Sequence, residues 1–207
     1  MLYGVERIES LGKGKYRVLL EDGTKYPLYS SELRRLHLEE GSLLTDKQYQ
    51  QLHYEIVGKR AKKRALHLLE KMDRSEHQLR QKLIEAEYPL SCVEEAIAYV
   101  KSFHYIDDER YAMNYTRYAK ERLSRQQIKQ KLLAKGIHME HIERALECEY
   151  DTDETAQIRK LLEKKNYDST NVDSKTYRRV YQFLLRRGFR NEDIIREMKE
   201  MQEVSQW

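Results

Sequence analysis

The chain has 207 residues, of which 40% are hydrophobic and 36% are charged, and its formal net charge is +4. This balance favours a modular helical protein over one deep globule, and the small positive excess disfavours a protein that coats nucleic acid by charge alone. We find no apolar run long enough to span a bilayer and no signal-peptide pattern, which predicts a cytoplasmic protein without membrane attachment. Cys92 and Cys148 lack metal-ligand spacing. A chain with so few cysteines is expected in a reducing compartment.

The first 44 residues differ from the remainder and predict a small β module. The segment KYRVLLEDGTKYPLY (residues 15–29) places Asp22-Gly23 between two runs rich in Tyr, Val and Leu, which is a strong hairpin signal. Residues 5–10 predict a third strand, joined to the hairpin through Gly12 and Gly14.

Capping boxes mark the starts of three helices farther along. Thr45 and Gln48, Ser75 and Gln78, and Ser124 and Gln127 each combine a hydroxyl cap with a Gln three residues later. The helix that Thr45 opens is expected to run toward Met72, through or around Gly58. Each cap is worth about 1 kcal/mol, so these helix starts are well specified.

An internal repeat follows from an ungapped comparison of three segments. Residues 79–97, 128–146 and 180–198 align with apolar residues at helical spacing on both sides of a break. Gly136 and Gly188 occupy that break, where a helix end commonly needs positive φ, whereas the first copy has Glu87 and therefore predicts a strained or different turn. A further helix precedes each copy, at about 60–72, 107–121 and 153–165.

These patterns predict a mainly α protein built of tandem three-helix repeats in an elongated curved array, with an N-terminal β-hairpin or three-strand module. The expected divisions are 1–44 for the β module, 45–107 for a linking helix and the first repeat, 108–151 for the second repeat and 152–207 for the third.

The segment YIDDERYA (residues 105–112) resembles a carboxylate cluster, but a capped helix start explains it better. Asp107 can accept an early amide, and Asp108 and Glu109 suit the positive end of the helix dipole. Tyr111, Ala112, Tyr115, Tyr118 and Ala119 then form one predicted apolar stripe.

The same region resembles the core signature of the RecX regulatory proteins. In FHYIDDERYAMNYTRYAKERLSRQQIKQKLLAKGI (residues 103–137), the matching positions are Asp107, Asp108, Tyr111, Ala112, Leu132, Lys135, Gly136 and Ile137. LLRRGF (residues 184–189) is similar to the third-repeat signature, and the resemblance covers about residues 64–201. His104, Glu87 and Arg122 stand where this family often has Gly.

The resemblance implies a monomeric, non-enzymatic regulator that acts in homologous recombination, DNA repair and the SOS response. Its expected partners are the RecA recombinase and the RecA filament on single-stranded DNA, with weak direct binding to DNA. It implies inhibition of ATP hydrolysis and strand exchange, and it implies no cofactor.

Local charge indicates where a partner would bind. KRAKKR (residues 59–64) has five basic residues in six, and an acidic stretch at 140–154 separates it from a basic, aromatic-rich one at 173–190. A solvated helix face is the alternative explanation for such runs. The candidate contacts are Lys59, Arg60, Lys63, Arg64, Lys129, Lys131, Lys135, Arg178, Arg179, Arg186, Arg187 and Arg190.

Three alternatives to a RecA regulator are a helix-turn-helix DNA-binding protein, an enzyme and a zinc-binding protein. A helix-turn-helix DNA-binding protein would use base-reading side chains such as Gln126, Gln127 and Gln130. An enzyme is disfavoured, since the sequence shows no Gly-rich phosphate loop or nucleophile arrangement. His138 and His141 form a short pair of the kind that zinc sites use, but such pairs arise by chance and no metal site is predicted.

Overall fold

The structure is a computed structural model that describes residues 3–168 and 172–201. Residues 1–2 of the predicted β module, and residues 169–171 and 202–207 of the predicted third repeat, lie outside the described residues. The chain divides into two compact units, an N-terminal unit (residues 1–107) and a C-terminal unit (residues 108–207).

The N-terminal unit begins with a four-stranded antiparallel sheet in the order β3-β2-β1-β4. The strands are β1 (Tyr3–Gly12), β2 (Lys15–Leu20), β3 (Lys25–Tyr29) and β4 (Leu43–Leu44). Gly23 has φ +82° in the β2–β3 turn, which confirms the predicted hairpin, and β1 confirms the third strand. Two elements were not predicted: the two-residue β4 and the helix α1 (Ser30–Leu36).

A continuous helical segment leads from the sheet into the first three-helix domain. It consists of α2 (Asp46–Gln50), a π-helical stretch (Gln51–Gly58) and α3 (Lys59–Lys71), and the Thr45 capping box opens it as predicted. A Cβ on Gly58 would lie 2.9 Å from the backbone oxygen of His53, so the wide π turns require glycine there. The helix that Thr45 opens thus runs through Gly58 as far as Lys71, which is one of the two courses that the sequence left open.

Three three-helix domains account for the other helices. The first contains α3, α4 (Glu76–Ile84) and α5 (Leu90–Ser102). The second contains α6 (Asp108–Ala119), α7 (Arg125–Leu133) and α8 (Met139–Glu149), and the third contains α9 (Glu154–Lys164), α10 (Ser174–Arg186) and α11 (Asn191–Glu200). The mainly α fold with tandem three-helix repeats and a small N-terminal strand module is thereby confirmed.

The cores of the repeats use the aligned apolar positions. Buried residues at these positions include Leu79, Leu83, Val93 and Ile97 in the first domain, Ile128, Leu132, Ile142 and Leu146 in the second, and Val180, Leu184, Ile194 and Met198 in the third. The apolar stripe predicted for α6 is wrong at one position. Tyr118 is 75% exposed, and the fully buried Thr116 lies in the core instead because helical rotation carries residue 118 to the solvent side.

The second helix of every domain ends in the same turn. Glu87, Gly136 and Gly188 have φ values of +63°, +76° and +80°, and their amides donate to the carbonyls of Ile84, Leu133 and Leu185. The first repeat thus uses the glycine-type turn with a glutamate. Arg17 of β2 forms an ion pair with the Glu87 carboxylate, and this contact offsets the strain of a left-handed non-glycine residue.

His53 joins the β module to the first domain. Its side chain is buried, with Nδ1 2.7 Å from Tyr26 Oη on β3 and Nε2 3.7 Å from the Glu95 carboxylate on α5. Burial lowers the pKa of His53, and the nearby Glu95 carboxylate offsets this only in part. Burial also raises the pKa of the neighbouring Cys92 thiol to about 12, so both groups remain uncharged at neutral pH.

This environment predicts a pH dependence for the stability of the N-terminal unit. The folded state holds His53 neutral, so the unfolded chain takes up a proton first as the pH falls below its unperturbed pKa of about 6.5. The free energy of unfolding should therefore fall with pH in that window, by up to about 1.4 kcal/mol per pH unit from this group. Denaturant titrations of wild type and His53→Asn at pH 5 to 8 measure the difference, and equal slopes would contradict the assignment.

Candidate partner-binding surface

The basic run at the start of α3 divides into free and internally bound cations. Lys59, Lys63 and Arg64 are exposed, and within the described part of the chain no carboxylate lies within ion-pair distance of them. Arg60 instead forms an ion pair with Glu32 at 3.1 Å, donates to the Pro27 carbonyl and lies over the Tyr29 ring. Arg60 therefore fastens the β module to α3.

The three candidate lysines of the second domain also differ in whether their charge has an internal contact. The Lys129 ammonium group forms an ion pair with Glu143 of α8. Lys135 lies over two stacked rings, with Nζ 5.6 Å from the centroid of Tyr111 and 5.5 Å from that of Tyr115. Lys131 is exposed, and no described acid pairs with it. Of the three predicted contacts in this domain, Lys131 is thus the one whose charge is open to solvent.

The third domain carries the densest group of open cations. Arg178, Arg179, Arg186 and Arg190 are exposed and, among residues 3–168 and 172–201, have no carboxylate partner within 4.0 Å. Arg178 lies on the same helix as the stacked pair Tyr177 and Tyr181, whose ring centroids are 6.3 Å apart. Basic side chains beside exposed rings suit a partner with anionic and planar groups.

Arg187 has a second role at the end of α10. Its guanidinium carbon lies 4.7 Å from the centroid of Phe183, and Lys165 Nζ lies 4.5 Å from the same centroid. Lys165 was not among the predicted contacts, although the adjacent pair Lys164-Lys165 at the end of α9 was a signal in the sequence. The ring holds two cations together that are far apart in the sequence.

The family-signature residues have structural places. Asp107 precedes α6 and Asp108 is its first residue, while Glu109 forms a 3.0 Å ion pair with Arg144 of α8. Ala112 is buried in the core of the second domain, and Tyr111 packs against that core. The described residues contain no group of three His, Cys, Asp or Glu side chains that could hold a metal ion. His138 and His141 have ring centroids 6.4 Å apart.

A joint made of hydrogen bonds connects the second and third domains within the C-terminal unit. The buried Ser124 hydroxyl accepts the Gln127 amide as the α7 cap and donates to the Arg187 carbonyl. The side-chain amide of Gln157 donates to the Lys120 main-chain carbonyl. The main-chain amide of Arg125 donates to the Glu154 carboxylate at 2.7 Å. These hydrogen bonds join the two domains at three points. The sequence did not indicate this joint.

The described helices of residues 3–168 and 172–201 are each too short or too polar to cross a lipid bilayer.

Comparison with known proteins matches each three-helix domain to its counterpart in one family. The models of the first, second and third three-helix domains of RecX match residues 61–99, 107–146 and 151–197 in that order. The β module lies before these matches.

Relatives that align with two thirds or more of this chain agree with the domain matches. The regulatory protein RecX of Clostridium tetani is 30% identical over 196 residues, covering 92% of this chain and 90% of the relative. That of Haemophilus ducreyi is 34% identical over 142 residues, covering 68% of this chain and 91% of the relative.

Solved structures give the same result. A crystal structure of a regulatory protein RecX aligns with a TM-score of 0.62 and 27% identity over 97% of this chain and 98% of the other. RecX from Lactobacillus salivarius aligns with a TM-score of 0.59 and 25% identity over 70% of this chain and 96% of the other. From the ordered domain matches and these relatives, we conclude that the chain belongs to the RecX family of regulatory proteins.

Proposed function

We propose that this chain is a non-enzymatic, monomeric regulator of the RecA recombinase. It binds RecA and its filament on single-stranded DNA, and it lowers the rates of ATP hydrolysis and strand exchange. The observation that carries the proposal is the presence of all three RecX three-helix domains in family order. Relatives named regulatory protein RecX over most of their length support the same role.

Open cations provide the contact surface in this proposal. These side chains are exposed and lack a described acidic partner, and they are Lys59, Lys63, Arg64, Lys131, Arg178, Arg179, Arg186 and Arg190. A filament that is part protein and part phosphate presents negative potential to such residues and steers association. Arg60, Lys129, Lys135 and Arg187 act instead through their internal contacts.

Gln127 of α7 favours this function over base reading by a helix-turn-helix protein. The Gln127 side chain accepts the Ser124 amide in the capping box. The aliphatic part of the Gln126 side chain packs against the Gly188 backbone. A Cβ added to Gly188 would lie 2.7 Å from the Cβ of Gln126. The Gln127 side chain therefore has a structural partner that competes with contacts to base edges, whereas Gln126 and Gln130 are exposed.

The first test is the ATPase rate of RecA on single-stranded DNA, with the chain added in substoichiometric amounts. We expect the rate to fall, because one regulator held on a filament affects many RecA subunits. A titration on bare single-stranded and duplex DNA at the same salt is the control, and it should show much weaker binding. An unchanged ATPase rate together with tight, salt-sensitive binding to duplex would refute the proposal and favour a helix-turn-helix DNA-binding protein.

A further inference from the structure

A cleft lies between the β module and the first three-helix domain, inside the N-terminal unit. Its volume is about 480 Å³, which is within the range of clefts that hold small molecules. The β module supplies one wall and the first domain supplies the other, so neither forms the cleft alone. The side chains that decide its chemistry are Lys15, Tyr16 and Tyr29 from the β module, and Arg60, Arg64 and Tyr88 from the first domain.

Three of the lining side chains are aromatic. Tyr16 and Tyr88 are half-buried, and Tyr29 is 43% exposed. The guanidinium carbon of Arg60 lies 5.0 Å from the centroid of the Tyr29 ring. Tyrosine rings and a guanidinium plane both stack on flat ring systems, as they do on nucleobases. The cleft therefore suits a ligand with a flat ring.

The open charges of the cleft are positive. Lys15 and Arg64 are exposed, and no carboxylate among residues 3–168 and 172–201 lies within ion-pair distance of either. The lining carboxylates are already paired, Glu87 with Arg17 and Glu85 with Lys82. A ligand that uses both the rings and the open charges must therefore be an anion.

Arg60 also has an unused hydrogen-bond donor beside the cleft. Its terminal nitrogens donate to Glu32 and to the Pro27 carbonyl, whereas its buried Nε–H has no acceptor among the described residues. The two bonds that are made hold the guanidinium in place over Tyr29. The stacking surface is thus set before a ligand arrives, which reduces the entropy that binding costs.

The pattern of charge favours one phosphate over a strand of DNA. A protein surface that follows a single strand presents a groove of cations along the backbone. In this cleft the open cations are Lys15 and Arg64, and the Glu85 and Glu87 carboxylates line the same space. Even with their ion pairs, these carboxylates disfavour the further phosphates that a strand would place next to the first one.

We propose that the cleft binds one nucleoside 5′-monophosphate, with its base against the tyrosine rings and its phosphate held by Lys15 and Arg64. This ligand goes beyond the proposed function, because no contact with RecA is needed for it. Both walls of the cleft take part in binding, so the bound nucleotide also stabilises the folded β module on the first domain.

The test is an NMR chemical-shift titration of the full chain with thymidine 5′-monophosphate, in the absence of RecA and DNA. We expect the amides of residues that line the cleft to shift, with a Kd below about 1 mM. Thymidine and inorganic phosphate each supply only one part of the ligand, so each should bind about tenfold more weakly or worse. Equal binding of either fragment, or no shift at the cleft, would overturn the proposal.

Substitutions separate the ring contacts from the charge contacts. Tyr29→Leu keeps apolar bulk but loses the stacking face, and it should weaken binding about tenfold. Lys15→Gln and Arg64→Gln in one chain should also weaken it about tenfold, because two exposed charge contacts are lost. The same spectra report whether each variant is folded.

Tyr118→Leu and Lys25→Gln are the matched controls, since both side chains are exposed and lie outside the cleft. They should leave the Kd unchanged. If the controls lose as much affinity as the cleft variants, or if the folded cleft variants bind as wild type does, the assigned site is wrong.

A single strand is the other source of the same chemistry. Hexathymidylate should occupy the cleft no more tightly than the mononucleotide does, because its further phosphates meet Glu85 and Glu87. If it shifts the cleft amides at a lower concentration of nucleotide, the site belongs to DNA and the mononucleotide proposal fails. Since the titration contains no RecA, either failure leaves the proposed regulation of the filament untouched.

Discussion

Replacing Gly188 by alanine should lower the free energy of unfolding of the C-terminal unit by about 2–5 kcal/mol. Gly188 has φ +80°, where a non-glycine residue is strained by about 1–2 kcal/mol. In addition, the new Cβ would lie 2.7 Å from Gln126 Cβ and 2.9 Å from its Cγ. Relieving that overlap requires the α10–α11 turn to move away from α7, and overpacking of this kind costs about 1–3 kcal/mol.

Gly23→Ala is the matched control for this change. Gly23 has nearly the same φ, +82°, but no atom lies within 4 Å of an added Cβ. It should show the backbone strain alone, about 1–2 kcal/mol in the N-terminal unit. Denaturant unfolding followed by hydrogen exchange reports each unit separately. If the two variants lose the same free energy, the contact between Gly188 and Gln126 contributes nothing.

Removing four open cations of the third domain should weaken binding to the RecA filament roughly 30-fold or more, at about 0.5–1 kcal/mol per exposed charge contact. The variant is Arg178→Gln, Arg179→Gln, Arg186→Gln and Arg190→Gln in one chain. These side chains are exposed and lack described acidic partners, so the change should affect the partner more than the fold. Fluorescence anisotropy over a salt series measures both the affinity and its ionic component.

A control with the same loss of charge separates local contact from net charge. Arg80, Lys82, Arg117 and Lys129 are each paired with a glutamate inside their own unit. Replacing these four by Gln should change filament binding by less than about threefold, because their charge is already neutralised locally. Similar losses in both quadruple variants would mean that overall charge, rather than the third-domain surface, determines affinity.

Much of the fold could be predicted from the sequence because local residue patterns specify it. The hydroxyl–Gln spacing at Thr45, Ser75 and Ser124 specified three helix starts, and all three capping boxes are present. The repeat alignment identified the cores because buried positions recur at helical spacing in each copy. The glycines at 136 and 188 marked turns that need positive φ.

Features that depend on tertiary contacts could not be predicted from the sequence. Glu87 adopts the glycine-type turn because Arg17, 70 residues away, pairs with it. The π-helical stretch was not predicted, and within it His53 contacts Tyr26 of the sheet, a contact that no local pattern encodes. The sequence placed Arg60 and Lys129 among the candidate contacts because a charge run does not reveal which cations are neutralised internally.

The joint between the second and third domains has an evolutionary consequence. On one side of each bond stands a side chain, from Ser124, Gln157 or Glu154, and on the other a main-chain group of residues 187, 120 or 125. Every amino acid supplies the two carbonyls, and every amino acid except proline supplies the amide. These three bonds thus constrain the side chains of Ser124, Glu154 and Gln157, and they set no requirement on the side chains of residues 120 and 187. The Lys120 and Arg187 side chains have their own contacts with Asp151 and Phe183, so the hydrogen bonds of the joint can persist when those side-chain contacts change.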